Sequence, residues 1–371
     1  MKVTFPHMGN AYVTIKALLD DLEVPYVIPP KNSKEALVIG TKYAPEFACL
    51  PLKINIGNYI ESYKLGADTV LLTGGCGPCR YGYYGELERE ILKDLGMNMD
   101  IVVLEAPDNN LLELYKRIKK VCGKINIYKF VKALKNAIYI SRYVDELESL
   151  SFKIRARETR KGSTNKIFDR FLQKAYTTEG SQAMIELIKS IKSEFLRLDI
   201  DITVKPLKVG VVGEIYTTID NYANFNMARC LGEMGIEVDR KNSLSVWIID
   251  HMLKPSIGLK GDLKFVDESK PYLGTMIGGH AQETIGNSII YAKDEYDGII
   301  QIYPLGCMPE IVAESILPKI EENFGIPILT LIVDELTGEA GIQTRIEAFV
   351  DLLEKRRERG NYDEECLLFG N

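Results

Sequence analysis

The stretch Thr69-Val-Leu-Leu-Thr-Gly-Gly-Cys76-Gly-Pro-Cys79-Arg80-Tyr-Gly-Tyr-Tyr84 constrains the fold more than any other part of the chain. An apolar run is stopped by glycine and proline, and a helical pattern follows through Glu86–Leu95. A buried strand therefore leads through a tight loop into a helix. The loop puts two cysteines and an arginine at the carboxyl end of a strand, where open α/β sheets hold ligands. Cys-Gly-Pro-Cys admits dithiol exchange of the thioredoxin type. It equally admits thiolate ligation of zinc or of an iron–sulfur cluster. A pair of inert buried thiols is the plainest reading, but cysteines around Gly-Pro are an unusual way to make an ordinary turn.

The strand–loop–helix unit recurs. Lys2–Pro6 reads as a strand, followed by His7-Met-Gly-Asn, a helix near Ala11–Leu22 and a strand at Tyr26–Ile28. This is a βαβ signature, with His7 and Gly9 at its first turn, where a plain loop histidine is as good a reading as a ligand. Ile101–Leu104 reads as a further strand. Asn109–Leu198 is mostly helical, with apolar residues at three-to-four spacing over Leu112–Cys122, Tyr128–Arg155 and Ser181–Leu196. Lys205-Pro206 reads as a linker, after which Leu207–Tyr216 opens a second α/β unit. That unit continues through a helix at Ala223–Met234 and strands at Glu237–Val238, Gly298–Tyr303 and Ile328–Val333. Gly213 stands in no G-x-G-x-x-G or Walker A run, so a nucleotide loop there has little support. The expected architecture is α/β, with two flavodoxin- or Rossmann-like parallel-sheet domains joined by a helical region. The expected boundaries are 1–108, 109–204 and 205–371, consistent with a length beyond one ordinary core.

The chain is mildly acidic, with a net charge of −6, and has no long basic run, so nucleic acid is not an expected partner. Its start lacks the apolar core of a signal peptide and no segment is long enough to span a bilayer, so a cytoplasmic location without membrane attachment is expected. With only three histidines, acid–base chemistry run by histidine is not the theme. The seven cysteines are not spaced as a disulfide framework. Cys49, in Cys49-Leu-Pro51-Leu-Lys53, stands at a helix start, where unpaired N–H groups stabilise a thiolate and Lys53 adds positive charge. Cys307, in Gly306-Cys307-Met-Pro309, follows a strand and precedes a helix, as Cys76 and Cys79 do. Cys122, Cys230 and Cys366 read as structural. In the loop after Ile328–Val333, Asp334 and Thr337 read as turn caps, with a carboxylate or two lining a cleft.

A dithiol uses Cys76 and Cys79 but leaves Cys49 and Cys307 without a role, and Gly75 stands where the thioredoxin-type tryptophan would be. Structural zinc more often staples small loop-rich modules. Thiolates converging from separate loops suit an iron–sulfur cluster best.

The blocks Pro45-Glu-Phe-Ala-Cys49-Leu-Pro51-Leu-Lys53, Gly75–Tyr84, Pro304-Leu-Gly-Cys307-Met-Pro309 and Asp334–Phe349 resemble the 2-hydroxyacyl-CoA dehydratase component family. The activase-related and double-cubane branch is the nearest in pattern, and the resemblance covers nearly the whole chain. It implies a 4Fe–4S cluster in the cleft between flavodoxin-like domains, with Cys49, Cys76, Cys79 and Cys307 as ligand candidates. Arg80 and Lys53 are implied as positive charges beside the cofactor. It also implies electrons from a separate ATP-dependent iron–sulfur activator protein and pairing with a like or related subunit. His280-Ala-Gln-Glu283 lacks a cysteine that relatives carry in that block, and a double cubane asks for more cysteines than these loops offer, so one cubane is expected. The expected role is low-potential electron transfer or reductive chemistry. A dehydratase subunit acting on an acyl-CoA, a scaffold subunit and a Cys-Gly-Pro-Cys oxidoreductase are the alternatives.

Overall fold

Residues 69–72 and 298–304 are buried without a break. A parallel strand covered on both faces requires this, and both apolar runs are such strands. The computed structural model describes residues 1–73, 79–104, 111–123, 126–249 and 264–369, with side chains throughout except at 111 and 360–369. The first unit comprises β1 (Val3–Thr4), α1 (Ala11–Asp21), α2 (Lys34–Tyr43), α3 (Leu50–Lys64), β2 (Thr69–Leu72), α4 (Tyr81–Asp94) and β3 (Asp100–Val103). Helices α5 (Leu111–Cys122), α6 (Ile127–Arg155), α7 (Ser163–Thr177) and α8 (Ser181–Phe195) follow. The second unit begins with β4 (Lys208–Gly213), α9 (Ile215–Ile219), α10 (Met227–Glu233), β5 (Glu237–Asp239) and α11 (Leu244–Trp247). It ends with α12 (Lys264–Ser269), α13 (Ala281–Lys293), β6 (Gly298–Pro304), α14 (Met308–Phe324), β7 (Ile328–Val333) and α15 (Glu339–Phe369).

Both sheets are parallel and wound alike. The first has the order β1-β2-β3, and Tyr26 bridges Val3 in parallel on the open side of β1. The second has the order β5-β4-β6-β7, so in each the second extended segment flanks the first. Tyr26–Ile28, which the sequence predicts as a strand, contributes only that bridge, because Pro29 and Pro30 have no N–H to continue a ladder. The apolar Ala36–Gly40 lies in α2, whose start is capped by the Ser33 hydroxyl accepting from Ala36 N at 3.1 Å.

The units share a core rather than abutting at a linker. Leu37, Leu50 and Ile54 of the first unit and Phe152 of α6 join the apolar cluster built on β4, β6 and β7. Helices α2 and α3 meet backbone to backbone: a Cβ on Gly40 would stand 1.6 Å from the Lys53 carbonyl oxygen, and one on Gly57 1.9 Å from that of Ala36. The amino end of α3 is thereby fixed. Helix α6 ties both units, since Glu148 accepts from Asn10 at 3.2 Å and pairs with Arg240 at 2.6 Å. Among the described residues, no helix is long and apolar enough to cross a membrane.

Candidate functional site

The carboxyl edges of the two sheets face each other, and their first loops interlock. Gly9, at φ 51°, donates its N–H to Asp220 at 3.0 Å, and a Cβ there would lie 2.4 Å from the Ile219 carbonyl oxygen. Tyr216 donates its hydroxyl to the His7 carbonyl at 2.8 Å, and Asn32 donates to the same oxygen at 3.0 Å. His7 is buried, stacks on Tyr12 and has its pKa lowered, chiefly by burial. Its role here is that of a loop anchor.

Cys49, Cys79 and Cys307 stand on this cleft, each at the start of a helix. Cys49 is the residue before α3 and Cys307 the residue before α14, and each is followed by leucine or methionine and then proline. Proline in the first turn needs no N–H partner and presets the helical φ, so Cys-x-Pro is a local device for holding a thiol at a helix start. Cys79 precedes Arg80, the residue before α4. All three thiols are half-buried.

Burial is the main force on the thiols and pushes Cys49 up to about 11, Cys79 upward and Cys307 far upward. The first-turn N–H groups of Leu52, Tyr81 and Glu310 pull Cys49, Cys79 and Cys307 the other way. At Cys49 the Tyr84 hydroxyl also favours the thiolate, lying 2.6 Å from Sγ and 3.4 Å from the backbone N. Glu214 raises all three thiols, and Cys49 raises Cys307, so these groups share one electrostatic neighbourhood.

Arg80 clasps the site. It donates from Nη1 to the Phe47 carbonyl at 2.9 Å and from Nη2 to the Gly306 carbonyl at 2.6 Å. Its charge favours the thiolates of Cys49 and Cys79. Lys53 is buried and donates to the Glu46 carbonyl at 3.0 Å and to Glu335 at 2.5 Å, so its charge is matched across the cleft by the acidic loop. In that loop Asp334 accepts from Leu336 N and from the Thr337 hydroxyl, which makes it a turn cap.

Glu310 is fully buried in the first turn of α14, accepting from Thr284 at 2.9 Å and Gln301 at 3.0 Å, and burial lifts it to about 8. Cys122 ends α5 and packs against the apolar cluster of the helical region, while Cys230 lies within α10 with its thiol 3.8 Å from the Phe225 carbonyl oxygen. Cys76, His251 and the side chain of Cys366 lie outside the described residues.

No group of three His, Cys, Asp or Glu side chains at metal-ligand spacing is present among the described residues, which exclude Cys76. The chemistry of the donor set nevertheless suits a thiolate-bound cluster. The thiols are desolvated and point from helix starts, where a positive centre would offset the cost that burial places on their anions. Sequence reasoning gave Tyr84 and Glu214 no role, although each lies within a quoted block; Glu214 directly follows β4, and Cys307 likewise stands just beyond a strand, β6. Compared with known proteins, the chain matches no family model and no curated sequence.

Proposed function

We propose that this chain is an iron–sulfur protein of low-potential electron transfer, with its cluster in the cleft between two flavodoxin-like domains. The shared second-first-third winding of both parallel sheets supports the flavodoxin-like assignment. The observation that carries the function is the placement of Cys49, Cys79 and Cys307, from three segments far apart in sequence, at three helix starts that Arg80 ties together. These three would hold the cluster, with Cys76 of the same loop as the further candidate. When bound, a 4Fe–4S cluster supplies one-electron transfer at a potential set by charge, hydrogen bonds to sulfur and exposure.

The chain's own residues tune that environment. The amino ends of α3, α4 and α14 present N–H groups to the thiolates. Tyr84 directs its hydroxyl at Cys49 Sγ, and Arg80 holds positive charge beside Cys49 and Cys79. Lys53, neutralised by Glu335, fixes the geometry of the cleft more than its charge. An exchange dithiol at Cys79 is less well supported, because it leaves Cys49 and Cys307, which stand at helix starts on the same cleft, without a role.

By its resemblance to 2-hydroxyacyl-CoA dehydratase components, the protein would be cytoplasmic, act without oxygen, pair with a like or related subunit and receive electrons from an ATP-hydrolysing activator. The test is iron and acid-labile sulfide per chain on protein purified anaerobically, with EPR after reduction. About four of each and a reduced-cluster signal are expected for one cubane. Zinc, or no metal with a titratable disulfide, would overturn the reading. Turnover of a 2-hydroxyacyl-CoA by the reduced chain alone would make it a dehydratase subunit rather than a carrier.

A further inference from the structure

Residues 111–142 hold nine lysines and arginines against the single carboxylate of Glu113, in a chain whose net charge is −6. These cations are spread through α5 and the first half of α6 rather than gathered in one run, and they give this face a sign opposite to that of the whole protein. Some are matched within the fold. Lys116 and Arg117 face Glu113, each at 3.6 Å, Lys120 pairs with Asp100, and Lys129 pairs with Glu23 at 2.7 Å. Among the described residues, Lys119, Lys132 and Arg142 are exposed and have no carboxylate partner, and Lys135 has only the ring of Tyr139, 5.8 Å away.

The same face is apolar. Ala133, Ala137, Ile140 and Val144 turn inward and are buried, as a helix lying on a core requires. Val131, Leu134 and Ile138 recur every three to four residues on the opposite side of α6, where a surface helix is ordinarily polar. They line a groove of about 370 Å³ together with Ile249, Lys135, Tyr139 and Arg142. From Val131 to Arg142 it follows the helix for about 16 Å, or roughly three turns. Ile127 and Tyr128, each 76% exposed, add apolar surface at the start of α6.

These features select the occupant. An apolar floor takes apolar side chains, and cations left without carboxylates at its edge take acidic ones. A groove of this length along one helix suits a second helix laid into it, with anchors every three or four residues. A bilayer is flat and would leave the concavity unfilled, and a nucleic-acid backbone has no apolar stripe to match the floor. We propose that this face docks a partner protein through an acidic amphipathic helix, with apolar side chains seated on Val131, Leu134 and Ile138 and carboxylates against Lys132, Lys135 and Arg142. Its occupation does not depend on what the thiols hold.

The probe is a fluorescent synthetic helix of about five turns, with leucines on one stripe and glutamates elsewhere, compared with the same helix carrying lysines for glutamates. Anisotropy titration at about 0.05 M salt should show binding of the acidic helix only, and about 0.5 M salt should weaken it severalfold, because exposed charges are screened. The double reversal Lys135→Glu/Arg142→Glu should weaken binding about tenfold, since both charges then repel the helix at the rim. Val131→Asp, at an exposed position and with every lysine kept, should weaken it about as much by spoiling the apolar floor. Circular dichroism and an unchanged urea midpoint check that these surface changes leave the fold intact. Failure of the acidic helix to bind, equal binding of both helices, or indifference to both variants would overturn the proposal. Binding of phosphatidylserine vesicles but not of the helix would overturn it in favour of a lipid surface. A dimer of the parent that the double reversal dissolves would overturn it in favour of a second copy.

Discussion

Arg80 donates from Nη2 to the carbonyl oxygen of Gly306 at 2.6 Å, across 226 residues of chain. The other arm of its guanidinium reaches the Phe47 carbonyl at 2.9 Å. One planar side chain therefore joins the segments that precede Cys49 and Cys307 to its own neighbour Cys79. Lysine has a single ammonium on a flexible stem and does not reproduce a two-armed fork. Arg80→Lys should cost about 1–2 kcal/mol, as loss of charge-assisted hydrogen bonds at an exposed group does. It should also shorten iron retention during gel filtration. Urea unfolding of both proteins is the measurement, and an unchanged midpoint with unchanged iron would show that the clasp is not needed.

The cysteines separate into two sets with different expected behaviour. Cys49→Ser, Cys79→Ser and Cys307→Ser should each strip iron or leave it labile, because each removes a thiol at a helix start on the cleft. Cys122→Ser and Cys230→Ser should retain full iron and change stability by about 1 kcal/mol or less, as for half-buried side chains with few polar contacts. Iron and sulfide analysis of the five proteins decides it. Loss of iron in Cys122→Ser with retention in Cys307→Ser would reverse the assignment.

Tyr84→Phe removes the hydroxyl that lies 2.6 Å from Cys49 Sγ and leaves the ring buried in its apolar cluster. Hydrogen bonds to a cluster's sulfur ligands stabilise the reduced, more negative state. The midpoint potential should fall. The pKa of Cys49 in the metal-free protein should rise further above its present value near 11, since one of the groups holding it down is gone. A potential that rises in Tyr84→Phe would mean that this hydroxyl does not act on the cluster through Cys49.

Much of the scaffold was legible in the chain because strands and loops here are decided locally. Thr69–Leu72 and Gly298–Pro304 are apolar runs stopped by glycine or proline, and Cys-x-Pro at 49 and 307 announces a helix start. What was not legible depends on partners distant in sequence. Lys53 reads as a free cation in its own segment, yet it is matched by Glu335, 282 residues on. Nothing in Gly40 or Gly57 alone says that α2 and α3 will touch backbone to backbone. Tyr26–Ile28 has strand-like residues, but the prolines after it cut the ladder to one bridge.

Glu88 supplies a test of the first unit that does not depend on any bound group. It is fully buried on α4, held only by Asn55 Nδ2 at 3.5 Å, with its other oxygen, Asn55 Oδ1 and the Tyr59 hydroxyl left without partners. Tyr59 and Tyr81 are the titratable groups facing it, and both phenols are raised, chiefly by burial. Burial lifts the Glu88 carboxyl from 4.5 to about 8, against the smaller pull of Asn55. The folded protein therefore keeps a proton that the unfolded chain releases above pH 4.5. The contribution to stability is fully present below pH 4.5 and is lost as the pH rises towards 8. Glu88→Gln has no proton to lose there, and its amide can donate to the unpaired Asn55 oxygen. The stability difference between variant and parent should grow in the variant's favour from pH 5 to pH 8, by at least about 1.4 kcal/mol, the equivalent of one pKa unit. Urea unfolding at pH 5, 6.5 and 8 measures this directly. Parallel pH profiles for the two proteins would show that Glu88 is ionised in the folded state, and that the buried space between α3 and α4 is wetter than its packing implies.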